Sequence, residues 1–325
     1  MPHAIRIHQH GGPEVLVWDE ISVGDPGPGE VRLRQTAVGL NFIDVYHRTG
    51  LYPLPALPAV IGMEGAGVVE AVGANVTEVA RGQRVAYAGP PVGAYAEVRL
   101  MPADRLVALP DAIDDRTAAA MMLQGMTAEY LLRRTYKVQA GDPILIHAAA
   151  GGVGLIACQW AKALGAVVIG TVGSDAKAEL ARANGCDHVI NYTRDNFAQR
   201  AREVTGGEGV AVVYDGIGKD TFAGSLDSLR PMGMLVSYGN ASGPVPPFEP
   251  AILSQKGSLF FTRPTLMTYN AKHEALVASA KALFEVVASG AVRIIVNQTY
   301  ALKDTAQAHR DLEARKTTGS TVLLP

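Results

Sequence analysis

Cysteine is nearly absent from this chain: Cys158 and Cys186 are the only two in 325 residues. Two sulfurs can build neither a disulfide framework nor a four-thiolate zinc site within one chain, and both are expected to be inert residues of a helix or helix end. An excess of one charge is also missing. The formal net charge is −2 and no run of Lys or Arg offsets it, which removes the broad basic footprint on which most nucleic-acid binders rely. Met1–Gly12 holds three histidines and no continuous apolar run, so it does not read as a secretory signal, and a cytoplasmic location is the expectation. Only Pro143–Ala161 approaches the ~20 apolar residues of a membrane span. His147, Gln159 and three glycines interrupt it, so a buried strand, a turn and a helix are expected there and no membrane association.

What is present is apolar and rich in glycine: 48% hydrophobic residues, 18% charged residues and 35 glycines describe a packed globular protein. The length suits two cores, since one domain usually takes ~100–200 residues. From Ile5 to about Leu109 short strand-like runs such as Val31–Arg34 and Gly67–Val72 alternate with Pro and Gly clusters, a β-rich texture. From Ile144 the texture becomes apolar strands alternating with helical segments, the pattern of a doubly wound parallel sheet in an α/β protein. Strands are expected at Ile144–His147, Val167–Val172, His188–Ile190, Val210–Tyr214 and Met234–Tyr238, with helices at Gly152–Leu164 and Asp175–Asn184 ended by Gly165 and Gly185. A further apolar run, Ser258–Phe261, precedes a helical segment at Lys272–Ser289. The elements after Ile294 are too short for a core of their own, so the C-terminal segment is expected to pack onto the N-terminal domain. The expected domains are 1–122 with 265–325, and 123–264.

The turn after the first parallel strand reads Ala149-Ala150-Gly151-Gly152-Val153-Gly154, a G-x-G-x-x-G fingerprint with alanine at its first glycine. Glycine admits a pyrophosphate close to the backbone, and the helix N-terminus offers unpaired N–H groups and a positive dipole end. The motif alone is weak, because tight strand-to-helix turns are common; its place between a buried strand and a helix strengthens it. About ~20 residues on, where NAD enzymes carry an acidic residue for the ribose, the chain has Val172-Gly173-Ser174, with Lys177 one turn later. No carboxylate repels a 2′-phosphate there, while the Ser174 hydroxyl and Lys177 ammonium can bind it, so NADPH is expected over NADH. Asp175 lies just beyond the diagnostic position and is read as the N-cap of the next helix. For Lys177 the competing reading is an ordinary solvated charge.

Gly62-Met63-Glu64-Gly65-Ala66-Gly67-Val68 resembles the G-H-E-x-A-G signature of zinc alcohol dehydrogenases, and with the glycine turn the chain is identified as a member of the medium-chain dehydrogenase/reductase superfamily. The zinc-binding histidine of that signature is Met63 here, a thioether that suits Zn²⁺ poorly, and Asn41 and Gln124 stand where the zinc enzymes have cysteines. No metal is expected, and Glu64 is expected to be a structural hydrogen-bonding residue. Gly39–Asp44, Arg48–Tyr52, Gln124–Tyr130, Gly185–Tyr192, Thr262–Pro264 and Glu313–Arg315 look like the zinc-free quinone oxidoreductase, or zeta-crystallin-like, branch, and the resemblance runs over essentially the whole chain. It implies a GroES-like catalytic domain, a Rossmann domain, NADPH in a cleft and a homodimer formed through the Rossmann sheets. Carried over by position, Gly152, Val153, Gly173, Ser174, Lys177 and Tyr192 would hold the adenosine and phosphate end of the cofactor, beside Gly151 and Gly154 of the fingerprint. Asn41, Thr127, Ile217, Tyr238, Phe261 and Arg263 would line the nicotinamide side, with Arg315 a further phosphate contact. Cys186 departs from the alanine common in relatives.

The sequence shows no convincing Ser/His/Asp constellation or carboxylate pair. Quinone reduction needs neither, because its product is aromatic; an apolar ring must be held and charge on an oxygen stabilised. Tyr46, Tyr52 and Asn41 are the candidates for that work, the competing reading of each tyrosine being a core aromatic with its hydroxyl paired locally. The resemblance implies one-electron transfer to a semiquinone, which the residues do not distinguish from hydride transfer. An NADPH-dependent enone or alkene reductase is the alternative enzyme. A structural crystallin-like or RNA-binding protein is the alternative of another class, and the charge balance argues against RNA as the main partner.

Overall fold

A computed structural model describes residues 1–325, and the chain divides into two compact units. One comprises Met1–Met126, Asn270–Ala288 and Ile294–Pro325; the other comprises Thr127–Tyr269 and Ser289–Arg293.

The first unit is built on the long strand Glu30–Leu40, which pairs antiparallel with Glu64–Val72, Val98–Pro102 and Ser320–Leu324. Its alternation decides the two faces. Val31, Leu33 and Gln35 are buried, whereas Arg32 and Arg34 point away and pair with Glu70 at 3.2 and 3.3 Å. The C-terminal strand joins this sheet in the register Thr321↔Leu40, Val322↔Gly39 and Leu323↔Val38, so residues nearly 300 apart share one core with Ile5, Ile7 and Leu302. A helix at Phe42–Thr49 interrupts the β-rich region and was not expected from the strand-like texture. Its local signals are present: Asn41 with Asp44 three residues on forms a capping pattern, and Gly50 ends the helix at φ 82°.

The second unit holds six parallel strands in the spatial order His188–Asn191, Val167–Val172, Pro143–Ile146, Val210–Asp215, Leu229–Ser237, Phe260–Thr262. In chain order this is third, second, first, fourth, fifth and sixth, the doubly wound arrangement with its switch point between the first and fourth strands. All of Val210–Asp215 is buried, as suits a central parallel strand covered on both faces. The α/β class with a β-rich unit and a Rossmann sheet is therefore the one expected. Helices Phe197–Val204 and Phe222–Ser228 were not anticipated. The fifth strand begins earlier than expected, at Leu229, and pairs through an irregularity between Val210 and Val212. Pro143–Ala161 is the strand Pro143–Ile146, a turn and the helix Gly152–Ala163, and no helix is long and apolar enough to cross a membrane. Cys158 lies in that helix and Cys186 just past the next; both are buried free thiols with sulfurs 3.3 Å apart. The hydrogen bond shared with Cys186, then burial, push the Cys158 thiol well above its ordinary range, which keeps it unreactive.

Candidate active site

In the second unit the chain leaves the strand Pro143–Ile146 through Ala148, at φ 52°, and closes a turn with Gly151 N–H donating to the Ala148 carbonyl at 2.8 Å. The helix Gly152–Ala163 then begins with no side-chain cap, leaving its first N–H groups for a ligand. Gly154 is fixed by close approach. A Cβ there would lie 2.2 Å from the Ala148 carbonyl oxygen and 2.8 Å from Ala149 Cα, so a side chain would drive the helix off the turn that forms the cradle.

The adenosine-end residues gather at the carboxyl ends of the second and third strands. Tyr192 N–H donates to the Val172 carbonyl at 3.1 Å, and a Cβ on Gly173 would stand 2.5 Å from the Tyr192 hydroxyl. Ser174, not Asp175, is the N-cap: its hydroxyl accepts from the Lys177 N–H at 3.3 Å, and Asp175 is the first helical residue. The Asp175 carboxylate is turned to Arg194, at 2.7 and 3.2 Å, and to the Asn191 amide at 3.2 Å, and these donors hold its carboxyl below the usual range. Its charge is compensated, which suits a 2′-phosphate nearby.

At the fourth and fifth strands, Asp215 Oδ1 accepts from the N–H groups of Ile217 and Gly218 at 2.8 and 3.0 Å. Its Oδ2 accepts from Ser225 at 2.9 Å; Ser225 contacts His147 Nε2 at 3.0 Å and His147 Nδ1 contacts Thr171 at 2.9 Å. Because Ser225 spends its proton on Asp215, it accepts from Nε2–H, and Nδ1 accepts from Thr171. Burial lowers the His147 pKa, favouring that neutral form. Ser225 stands between the acid and the imidazole, and all three are buried, so this chain shapes the Ile217 loop and is no hydrolytic triad. Its members are scattered in sequence and the reading missed it; Asp215 at the end of a buried strand was the available signal. Tyr238 N–H donates to the Asp215 carbonyl at 2.8 Å, which sets Tyr238 beside the Ile217 loop. Arg263 donates to the Ser237 carbonyl at 2.7 Å. The Phe261 ring packs on Phe248 and Phe222, with centroids 5.3 and 6.0 Å away, so the ring serves the core and a cofactor contact here would come from the backbone. Thr127 is buried in the helix Met122–Tyr130.

In the first unit Asn41 caps the helix Phe42–Thr49. Its N–H donates to Asp44 Oδ2 at 2.9 Å, and Nδ2 lies 2.6 Å from Glu64 Oε2. Five residues along the helix, the Tyr46 ring meets Tyr52 edge to face at 5.1 Å, with Phe42 at 6.4 Å. Behind them runs a one-way donor chain. Arg48 forks onto Glu313 at 2.8 and 2.9 Å and contacts His309 Nδ1 at 2.9 Å; His309 Nε2 contacts the Tyr95 hydroxyl at 3.1 Å, which donates to Asp44 Oδ2 at 2.8 Å. Arginine only donates, so His309 accepts at Nδ1 and passes Nε2–H onward. Burial, then the Arg48 charge, lowers His309 to about 3, while burial raises Asp44 to about 7 and Glu64 to about 8. Arg315 follows the helix Thr305–Glu313 with a left-handed backbone at φ 59°.

The three positions that hold zinc in the metal enzymes do not fit it here. Gln124 Nε2 donates to Asn41 Oδ1 at 3.1 Å, so the two amides satisfy each other, and Met63 is a buried thioether. No group of three or more His, Cys, Asp or Glu side chains gathers where it could share an ion.

Residues 27–111 match the family model described as an alcohol dehydrogenase GroES-like domain, and residues 152–281 match that of a zinc-binding dehydrogenase. A quinone oxidoreductase of Pseudomonas aeruginosa is 55% identical, with 100% of both chains covered. The chain belongs to the quinone oxidoreductase branch of the medium-chain dehydrogenases/reductases. The crystal structure of Escherichia coli quinone oxidoreductase complexed with NADPH superimposes with a TM-score of 0.98 at 48% identity, covering 99% of this chain and 100% of the other. A 2-haloacrylate reductase of a Burkholderia species is 50% identical, with 100% of this chain and 99% of the relative covered.

Proposed function

We propose that this chain is a cytoplasmic, homodimeric NADPH:quinone oxidoreductase that works without zinc. The observation that carries the reading is the dinucleotide cradle: an uncapped helix start behind a glycine turn, followed by Gly173, Ser174 and Lys177 with Asp175 compensated by Arg194. NADPH, when bound, supplies the reducing equivalents. Gly151, Gly152, Val153 and Gly154 receive its pyrophosphate, and Ser174 and Lys177 its 2′-phosphate. Tyr192 covers the adenosine, and Ile217 and Tyr238 lie toward the nicotinamide with Thr127 and Arg263. Asn41, Tyr46 and Tyr52 receive the acceptor: the tyrosines hold an apolar ring, and the amide and hydroxyl protons hydrogen-bond the oxygen on which charge develops. The names of the quinone oxidoreductase relatives support the acceptor class.

The edge strand Phe260–Thr262 has one neighbour in the sheet, and Phe260 and Met232 are 56% and 71% exposed. An open edge carrying apolar side chains supports pairing with a second copy there. The buried free thiols suit a reducing compartment. The 2-haloacrylate reductase relative favours a second reading, reduction of an activated double bond, for which the same oxygen-binding groups serve.

The test follows oxidation of NADPH and NADH, with 1,4-benzoquinone or an enone, after chelator treatment. Fast, chelator-insensitive quinone reduction with NADPH supports the proposal, and a radical signal in paramagnetic resonance marks one-electron transfer. Turnover of enones alone selects the second reading, and failure to bind NADPH removes both.

A further inference from the structure

Four buried side chains and one carbonyl form a polar line through the first unit: Glu64, Asn41, Gln124, Ser320 and the Ala120 carbonyl, with successive contacts of 2.6, 3.1, 2.7 and 2.8 Å. A carboxamide can be turned over at no cost in shape, so the line has two arrangements. With Asn41 Nδ2 toward Glu64 and Gln124 Nε2 toward Asn41, Gln124 turns its oxygen to Ser320. Ser320 then faces two acceptors, Gln124 Oε1 and the Ala120 carbonyl, with one hydroxyl proton. One buried contact is left oxygen to oxygen, which costs on the order of 1–3 kcal/mol.

Turning both amides over removes the conflict. Gln124 Nε2 donates to Ser320, Ser320 donates to Ala120, Asn41 Nδ2 donates to Gln124, and Asn41 Oδ1 faces Glu64 Oε2. Every contact along the line then holds one proton, provided Glu64 supplies the first; the cost is the capping contact of the Asn41 oxygen with the Asp44 N–H, whose backbone bond to the Asn41 carbonyl at 3.0 Å stays. We propose that Glu64 is a positioning residue of the reaction, whose carboxyl in its acid form donates to Asn41 and, with Gln124 and Ser320, sets which end of the Asn41 amide is offered to the acceptor oxygen. This rests on the reading of Asn41 as an acceptor-binding group.

The surroundings favour the acid form. Glu64 is fully buried, Gly39 leaves it room where a Cβ would lie 2.2 Å from Oε2, and its Oε1 accepts from the Leu123 N–H at 2.7 Å in either arrangement. Asp44 on the neighbouring helix disfavours a second negative charge. Tyr87 and Tyr95 are kept neutral by burial; of the cations near them, Arg99 donates to the Tyr87 hydroxyl at 3.2 Å and to the Pro91 carbonyl at 2.7 Å, and Arg48, beyond His309, forks onto Glu313. Burial accordingly lifts the Glu64 carboxyl to about 8. Once ionised, Glu64 draws the Asn41 N–H to itself and adds a negative charge that opposes the one developing on the acceptor.

Glu64→Gln copies the acid form, with an oxygen for Leu123 and an NH₂ for Asn41. The experiment measures kcat/KM for 1,4-benzoquinone at saturating NADPH between roughly pH 6 and 9.5, beside infrared difference spectra of wild-type and variant protein read at the carboxylic-acid carbonyl stretch. Wild-type activity should fall about tenfold per pH unit above about 8, with loss of an acid band assigned to Glu64. The Glu64→Gln profile should be flat on that side, and Glu64→Leu should be impaired at every pH. Ser320→Ala, which does not touch Glu64, should move the alkaline limb to lower pH by roughly half a unit to one unit, because the acid arrangement loses about one hydrogen bond of preference. An unchanged alkaline limb in Glu64→Gln or Ser320→Ala, or no Glu64 acid band at neutral pH, overturns the proposal. If wild-type protein binds NADPH but reduces no quinone, the functional reading fails, and the infrared titration of wild type and Ser320→Ala still decides the state of Glu64.

Discussion

Removing the Lys177 ammonium should separate NADPH from NADH. Lys177 stands one turn into the helix Asp175–Ala183, and its backbone N–H donates to Ser174 Oγ at 3.3 Å. Lys177→Ala keeps that bond and places a better helix former on the helix, so stability should stay within about 0.5 kcal/mol. A charge-assisted contact to a phosphate contributes roughly 1.5–3 kcal/mol, so NADPH should bind roughly 10- to 150-fold more weakly at about 1.36 kcal/mol per decade. NADH, which has no 2′-phosphate, should bind as before. Ser174→Ala should differ in kind: it loses the phosphate contact and also the cap, costing about 1 kcal/mol of stability. Calorimetric titration of both cofactors at two salt concentrations reads the effect, and the salt dependence of NADPH binding should shrink in Lys177→Ala. Equal weakening of NADPH and NADH, or no weakening of either, would refute the reasoning and return Lys177 to the solvated surface.

Stability should fall as pH rises from neutral. Glu64 and Asp44 are raised from 4.5 and 3.8 to about 8 and about 7, so their contribution is complete below the lower values and is lost as the folded groups ionise. His47 and His309 are lowered from 6.5 to about 4 and about 3, so their contribution is lost in the opposite direction, as pH falls below 6.5. Between those limits the two effects oppose each other; from about pH 6.5 to 8 only the carboxylates act, for a loss of about 3 kcal/mol. Urea unfolding at several pH values checks this, and Glu64→Gln should remove about half of the slope or more. Tyr52→Phe, read by steady-state kinetics and cofactor titration, should impair quinone turnover more than NADPH affinity; unchanged turnover would take the hydroxyl out of the mechanism. Phe260→Lys puts a charge on the open strand edge and should shift the protein toward monomer in sedimentation, whereas an unaltered mass would place any dimer contact elsewhere.

The local part of the candidate site was legible because its residues lie close together in the chain. The glycine turn, the Gly173-Ser174 pair and Lys177 lie along one strand–helix–strand–helix run, where spacing fixes which groups share the carboxyl end of the sheet. Helix Phe42–Thr49 was hidden by the strand-like texture on both sides, although Asn41, Asp44 and Gly50 marked its ends. Asp175 was misassigned as a cap for a similar reason: sequence offers Ser and Asp side by side, and Arg194 and Asn191, which draw the carboxylate away, come from the neighbouring strand and the turn after it.

By itself the sequence determined the parallel sheet and the dinucleotide turn, since each depends on residue type at short spacing. Tertiary structure alone decided how Asn41 and Gln124 are connected and what the buried charges do. The Glu64–Asn41–Gln124–Ser320 line joins residues from four distant segments, and the Arg48–His309–Tyr95–Asp44 chain spans 265 residues between Asp44 and His309. The protonation of Glu64 and Asp44 follows from how completely the folded chain removes them from water, and that is a property of the packing around a carboxyl group.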